Sequence, residues 1–226
     1  MKIINTPQNG DNIDALDTMY PTMAHWVSKD TIIGERSATC FGFVLNGQAR
    51  IVGNQEWKVQ QGNYFALHGE LGIRVEENTN IWITEKKGYR CMPTLGIIED
   101  KGRLSYIDGC SDSVLVSMPR KGDPVLNHLH FPTGIYQTQH THPSIRMGIV
   151  IGGNGEAFQE KSNYDDGWVK PLKKGCMFML EEQELHSFRT TEEVMDIVAF
   201  HPDSDTGPTD DNHAMINRTY IDHGKE

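Results

Sequence analysis

Two segments of the chain repeat one another in order, and this constrains the fold more than any other feature of the sequence. Residues 34–47 align without a gap on residues 140–153, placing Gly42 on Gly148, Val44 on Val150 and Gly47 on Gly153. A second block then follows in each copy, Gly62 to Leu67 against Gly175 to Leu180. The spacing from the turn glycine to this block is 15 residues in the first copy and 22 in the second. A longer hairpin around residues 164–167 absorbs the difference. Repetition at this scale implies two related units rather than one irregular domain, joined near residues 100–112.

The repeated blocks are short runs of β-branched and aromatic residues bounded by turn formers, the pattern of a sandwich or barrel. Strands are expected at Cys40–Leu45, Ala49–Val52, Tyr64–Leu67, Ile81–Thr84, Val114–Met118, Met147–Ile151 and Val194–Phe200. Asn46-Gly47 and the run Gly152 to Gly155 have the composition of hairpin turns. A single helix is expected near Asn12 to Met19. The fold class is therefore all-β. With 226 residues, 22 glycines and 10 prolines, two units of about 100 residues each fit the length.

The formal net charge of −10 disfavours nucleic acid and anionic membrane surfaces as partners, and Lys170, Lys173 and Lys174 form only a small basic cluster. The N-terminal residues lack a secretory apolar run, and no segment approaches the ~20 apolar residues of a membrane span. A soluble, cytoplasmic protein is expected. The four cysteines, Cys40, Cys91, Cys110 and Cys176, are scattered and form no Cys-x-x-Cys pair, so they are expected to be free thiols.

Histidines concentrate in the second copy. His140 and His142 are two residues apart, so on a strand both side chains face the same way. His186, on a later strand, can meet them across a barrel lumen, giving three imidazoles on one metal site with open positions. With Gly134, His140, His142 and Gly153 at the spacing of one motif, and Gly175 and His186 at that of a second, the chain resembles the cupin family. The resemblance covers residues 113–202 directly and residues 20–95 through the repeat. It implies two double-stranded β-helix barrels: a metal-free one over 1–105, a metal-binding one over 106–202, and an acidic tail or lid over 203–226.

The sequence also departs from the family pattern. The family's glutamate ligand falls on Arg146, and its second-motif Pro, Gly and Asn fall on Glu181, Gln183 and Thr190. Arg146 shares strand parity with the two histidines and is expected either to anchor an anionic substrate beside the ion or to pair with Glu181 or Glu184. Glu184 is also a candidate fourth ligand if its strand is regular. His128 and His130 form a second His-x-His pair out of register with the motif and are expected to flank the site. In the first copy the ligand positions are Gly34, Arg36 and Ile73, so no metal is expected there. That unit is expected to serve as a scaffold, a homodimer surface or a wall of the site.

Three-histidine cupins resemble iron dioxygenases for thiols and hydroxylated aromatic acids, which implies one divalent ion, Fe(II) first, with Zn, Mn, Ni or Cu also compatible with imidazole. The implied activity is that of an oxidoreductase acting on a small anion chelated to the ion. A non-catalytic small-molecule binder, or a Zn- or Mn-dependent isomerase or hydrolase using Glu181, Glu182 or Glu184 as base, remains an alternative.

Overall fold

Two continuous apolar runs, at residues 40–45 and 147–150, lie at the centre of the architecture because both faces of each strand are buried. In a computed structural model, which describes residues 1–163 and 165–204, every strand pair is antiparallel. The one helical element among the described residues is a 3₁₀ turn at Ile107–Gly109, and no helix is long and apolar enough to cross a membrane.

A six-stranded sheet runs in the order Thr94–Ile97, Asn63–His68, Thr39–Asn46, Asn80–Lys86, Thr22–Val27, Asn12–Ala15. A four-stranded sheet pairs Thr31–Ile33, Leu71–Val75, Gln48–Val52 and Glu56–Gln60 in that order. The second half forms a nine-stranded sheet along Lys2–Ile4, Met177–Leu180, Arg146–Gln159, Met195–His201, Val125–Phe131, Ser111–Val116 and Leu104–Ser105. Trp168–Lys173 and Ser187–Arg189 join the far end of its long strand. The N-terminal strand thus crosses the molecule to pair with Met177–Leu180 in the second half.

Strand parity sorts the core into three clusters. From strand Thr39–Asn46, Cys40 and Val44 pack with Ile51, Phe65, Ile73 and Ile81 in the first half. Phe41, Phe43 and Leu45 point the opposite way and meet Met147, Ile149, Val198 and Phe200 of the second half. The Phe41 and Phe200 rings lie 4.8 Å apart. Val150 faces a third cluster with Phe131, Phe178 and Ile197. The two halves therefore stack sheet on sheet, each inner face buried by the other.

The sequence repeat is a repeat of contacts. Gly42 pairs with Phe65 and Gly148 with Phe178, and each aromatic ring lies over its glycine. A Cβ on Gly42 would fall 2.2 Å from Phe65 Cζ, and one on Gly148 2.4 Å from Phe178 Cζ. In each copy the next block is fixed by the same hydrogen bond, Gly62 N to Val44 O at 2.9 Å and Gly175 N to Val150 O at 2.8 Å.

Two expectations fail here. Neither glycine-rich turn closes a hairpin. The strands on either side of Gly47 belong to different sheets, and Gly153 lies inside the 14-residue strand Arg146–Gln159, just past a register shift between Val150 and Gly152. Both are corners where a strand leaves one set of partners for another. Gly47 (φ +78) and Gly153 (φ +61) adopt left-handed backbone there, and a Cβ on Gly153 would lie 1.8 Å from Val194 O. The helix near Asn12 to Met19 is absent as well. Asn12–Ala15 is a strand with Ile13 and Ala15 buried and Asn12 and Asp14 exposed, a period of two. It ends where the Asp14 carboxylate accepts the Leu16 N–H and the Thr18 hydroxyl donates to Ala15 O. All four cysteines are free.

Gly42→Ala should lower stability by about 1–3 kcal/mol through overpacking against Phe65. Adding Phe65→Leu should recover part of that loss, measured by denaturant unfolding of the single and double variants. Additive losses would show that the glycine and the ring do not act as a pair.

Candidate metal centre

Residues 135–142 lie antiparallel to residues 183–190. Thr190 N donates to Ile135 O (3.0 Å) and Gln137 N to Phe188 O (3.0 Å). His140 and His186 then exchange both backbone hydrogen bonds, at 2.9 and 3.0 Å, and Gln183 N donates to His142 O at 2.9 Å. The reciprocal pair sets His140 and His186 directly opposite each other, and His142 follows on the same face.

The three rings converge. Centroids are 5.0 Å apart for His140–His142, 4.5 Å for His140–His186 and 5.1 Å for His142–His186. One nitrogen from each lies within 4.8 Å of the others. Two of the rings are fixed by the chain itself: His140 Nδ1 donates to Thr138 O at 2.9 Å and His186 Nδ1 to Glu184 O at 2.8 Å. A carbonyl can only accept, so the proton sits on Nδ1 and leaves Nε2 as a free lone pair. His186 is fully buried and its Nε2 has no hydrogen-bond partner. An unpaired buried lone pair aimed at two other imidazoles is the donor arrangement a divalent ion fits.

Burial pushes the His142 pKa down to about 2, helped by the positive Arg146 and the other two histidines. Burial likewise lowers His186 to about 4. Both rings are therefore neutral near pH 7, the state that ligates a metal.

Arg146, 4 % exposed, lines the same cavity as His140 and His142. Its Nη1 donates to Ser144 O at 3.0 Å and Ile145 O at 3.1 Å, and it also bonds Ser144 Oγ. The cavity, about 50 Å³, has a largely apolar wall that includes Leu129, Phe131, Phe178, Leu180, Phe188 and Ile197.

Glu184 takes a different position from the one strand parity suggests. Gln183 turns the chain with φ +56, so Glu184 and His186 do not share a regular strand face. The Glu184 carboxylate accepts the Met1 amine and the Glu181 N–H, and only its backbone carbonyl serves the site, through His186. His128 and His130 lie on the face of strand Val125–Phe131 opposite Asn127, Leu129 and Phe131. They share Asp196 Oδ1 at 2.9 and 2.8 Å and do not line the cavity. Glu181 and Glu182 are exposed and also lie outside its lining.

His201 is a site residue that the sequence reading passed over as the start of the acidic tail. It ends strand Met195–His201, lines the cavity, and its ring is 6.2 Å from that of His142. Burial and Arg146 hold its pKa well below the usual histidine range. The signal was the alternation Ile197, Ala199, His201 along one strand face. Residues 205–226, including most of the expected tail or lid, lie outside the described residues.

The depressed histidines give the metal-free protein a definite pH response. The unfolded chain binds more protons than the folded one between the folded values and about 6.5, so stability rises with pH in that window. Full stability is expected above pH ~6.5 and a progressive loss as pH falls toward ~4, read as a falling denaturation midpoint. His142→Leu should show a shallower loss, and added divalent metal should oppose it.

No protein-family model and no curated protein matches the sequence. Solved structures do match the fold. A cupin 2 conserved barrel domain protein from Leptotrichia buccalis superposes with a TM-score of 0.62 at 18% identity, covering 88% of this chain and 95% of that one. Oxalate decarboxylase from Bacillus subtilis, in a study of its Mn(II) centres, gives 0.58 at 10% identity, covering 91% and 76%. Salicylate 1,2-dioxygenase from Pseudoaminobacter salicylatoxidans gives 0.57 at 12% identity, covering 79% and 69%. At these identities the likeness is one of fold: the chain has the antiparallel β architecture of cupin-domain proteins, with a three-histidine cluster that suits a divalent metal.

Proposed function

We propose that the chain is a two-barrel cupin whose second unit, over 106–202, holds one divalent ion on His140, His142 and His186. The first unit, over 1–105, is metal-free in this reading, and 203–226 forms a tail or lid. Separate apolar clusters within each half, and a third between them, support the division. The observation that carries the metal assignment is the convergence of three imidazoles, two of them oriented by Nδ1–H bonds to backbone carbonyls.

Fe(II) is the favoured ion and the favoured activity is a dioxygenase-like oxidation of a small anion. When bound, such an ion supplies a Lewis acid and access to dioxygen chemistry. The protein residues then do three things. The histidines hold and orient the ion without neutralising its charge, since all three ligands are neutral. Arg146 adds a second fixed positive charge in the same cavity, which favours an anionic ligand. The phenylalanine and leucine wall keeps the site poor in water, where such attractions are strongest. The salicylate dioxygenase neighbour, also solved with gentisate, supports this class. The isomerase or hydrolase alternative has less support because Glu181, Glu182 and Glu184 do not line the cavity.

Elemental analysis of protein purified without added metal is expected to give about one ion per chain, with oxygen uptake on screening thiols and small acids. His140→Ala or His186→Ala should remove the ion while the far-ultraviolet spectrum stays that of a β protein. A stoichiometry near two would contradict the assignment of a metal-free first unit.

Arg146→Ala should weaken binding of an anionic substrate by roughly 10- to 150-fold, or about 1.5–3 kcal/mol, with metal content unchanged. Arg146→Lys should recover only part, since lysine lacks the planar fork. A lower melting temperature with unchanged affinity would assign Arg146 a structural role instead.

A further inference from the structure

The cavity has a polar patch that the metal and Arg146 do not explain. Asn127, Asp112 and Gln137 all line it. Gln137 is 1 % exposed and Asn127 7 %. Both side-chain polar atoms of Gln137, Asn127 Oδ1 and Asp112 Oδ1 are buried without a hydrogen-bond partner. Buried polar groups are nearly always satisfied, and leaving one bare is destabilising. Four such atoms on three residues that line one cavity make a candidate recognition surface.

Their chemistry is asymmetric. Asn127 Nδ2 donates to Asp112 Oδ2 at 2.7 Å, which turns the amide so that its carbonyl Oδ1 is the atom left over. The patch then presents three acceptors (Asn127 Oδ1, Asp112 Oδ1 and Gln137 Oε1) against one donating group, Gln137 Nε2. A carboxylate among surplus acceptors selects a ligand group rich in N–H donors.

The register places Asn127 and Asp112 away from the charged end. Asn127 pairs with Ala199 and Ala199 with Gly148, while Arg146 pairs with Leu180 and His201 with Val125. Asn127 therefore sits two residues along the strands from the layer of Arg146 and His201, about 7 Å deeper. Asp112, opposite Leu129, lies one layer further. A cavity of about 50 Å³ holds a slender chain of roughly four water-sized groups.

We propose that Asn127, Asp112 and Gln137 bind an amine at the far end of the ligand, so that the substrate class is a short aliphatic acid carrying an amino group about three methylenes from its carboxylate. This rests on the proposed placement of the carboxylate at the metal and Arg146, and assigns the opposite end.

The test is calorimetric titration of the metal-loaded protein with 4-aminobutyrate, 4-hydroxybutyrate and butyrate. The amine is expected to bind at least about 10-fold more tightly than butyrate, with the alcohol between them. Gln137→Met and Asn127→Leu, which keep the side-chain size, should bring the amine-to-butyrate ratio to within about threefold while metal content stays the same. Repeating the titration after chelation separates this from the metal assignment: affinity for all three should fall, but the preference for the amine should persist. Equal binding of amine and butyrate by the parent protein, binding of none of the three, or a ratio untouched in both variants would overturn the proposal. Loss of the metal alone would not.

Discussion

The strand Arg146–Gln159 has no solvent face along its first residues, and that double burial organises the molecule. Met147 and Ile149 press into the interface with the first half, while Arg146, Gly148 and Val150 point into the second-half interior. A shift of one residue would exchange these sets, moving Arg146 into an apolar interface and Met147 into the cavity. The register is secured against that slip at several points: Gly148 beneath the Phe178 ring, the Gly153 corner against Val194 O, and the Gly175 N to Val150 O bond.

Electrostatics at the site follow from burial more than from charge pairing. His142, His186 and His201 are all held neutral chiefly by desolvation, with Arg146 adding to each. A buried guanidinium next to three uncharged rings would be costly on its own, and carbonyls of Ser144 and Ile145 offset part of that cost. Arg146 thus places one fixed positive charge in a largely apolar enclosure that also holds the Asp112 carboxylate.

Much of this was legible in the sequence because it is written in spacing. The repeat located Gly42 and Gly148, and the His-x-His pair with His186 located the three converging rings, since strand parity depends only on counting. Counting failed where the backbone departs from regularity. Gln183 at φ +56 broke the parity that made Glu184 a ligand candidate. The glycine corners looked like hairpins because a change of sheet and a reversal of direction need the same left-handed residue. Asn12 to Met19 mixed a period-two strand with a turn and so imitated a weak helix. His201 was hidden by the acidic residues that follow it, and the deep patch of Asp112, Asn127 and Gln137 is assembled from segments whose proximity no spacing encodes.

The two halves show how one framework is divided between stability and a cavity. At the position equivalent to Arg146 the first half carries Cys40, fully buried and packed with Val44, Phe65 and Ile83. The positions equivalent to His140 and His142 are Gly34 and Arg36, the latter exposed. The first-half interior is filled by Ile51, Leu71, Ile73 and Ile81, each at most 2 % exposed. The second half instead places Arg146, Asn127 and Gln137 against its cavity, forgoing apolar contacts that a closed core would make. Because the sheets of the two halves share the cluster around Phe41 and Phe200, the well-packed half can hold the cavity-bearing half in register. A polar, partly hollow interior can then persist on a strand scaffold whose other face is fully packed.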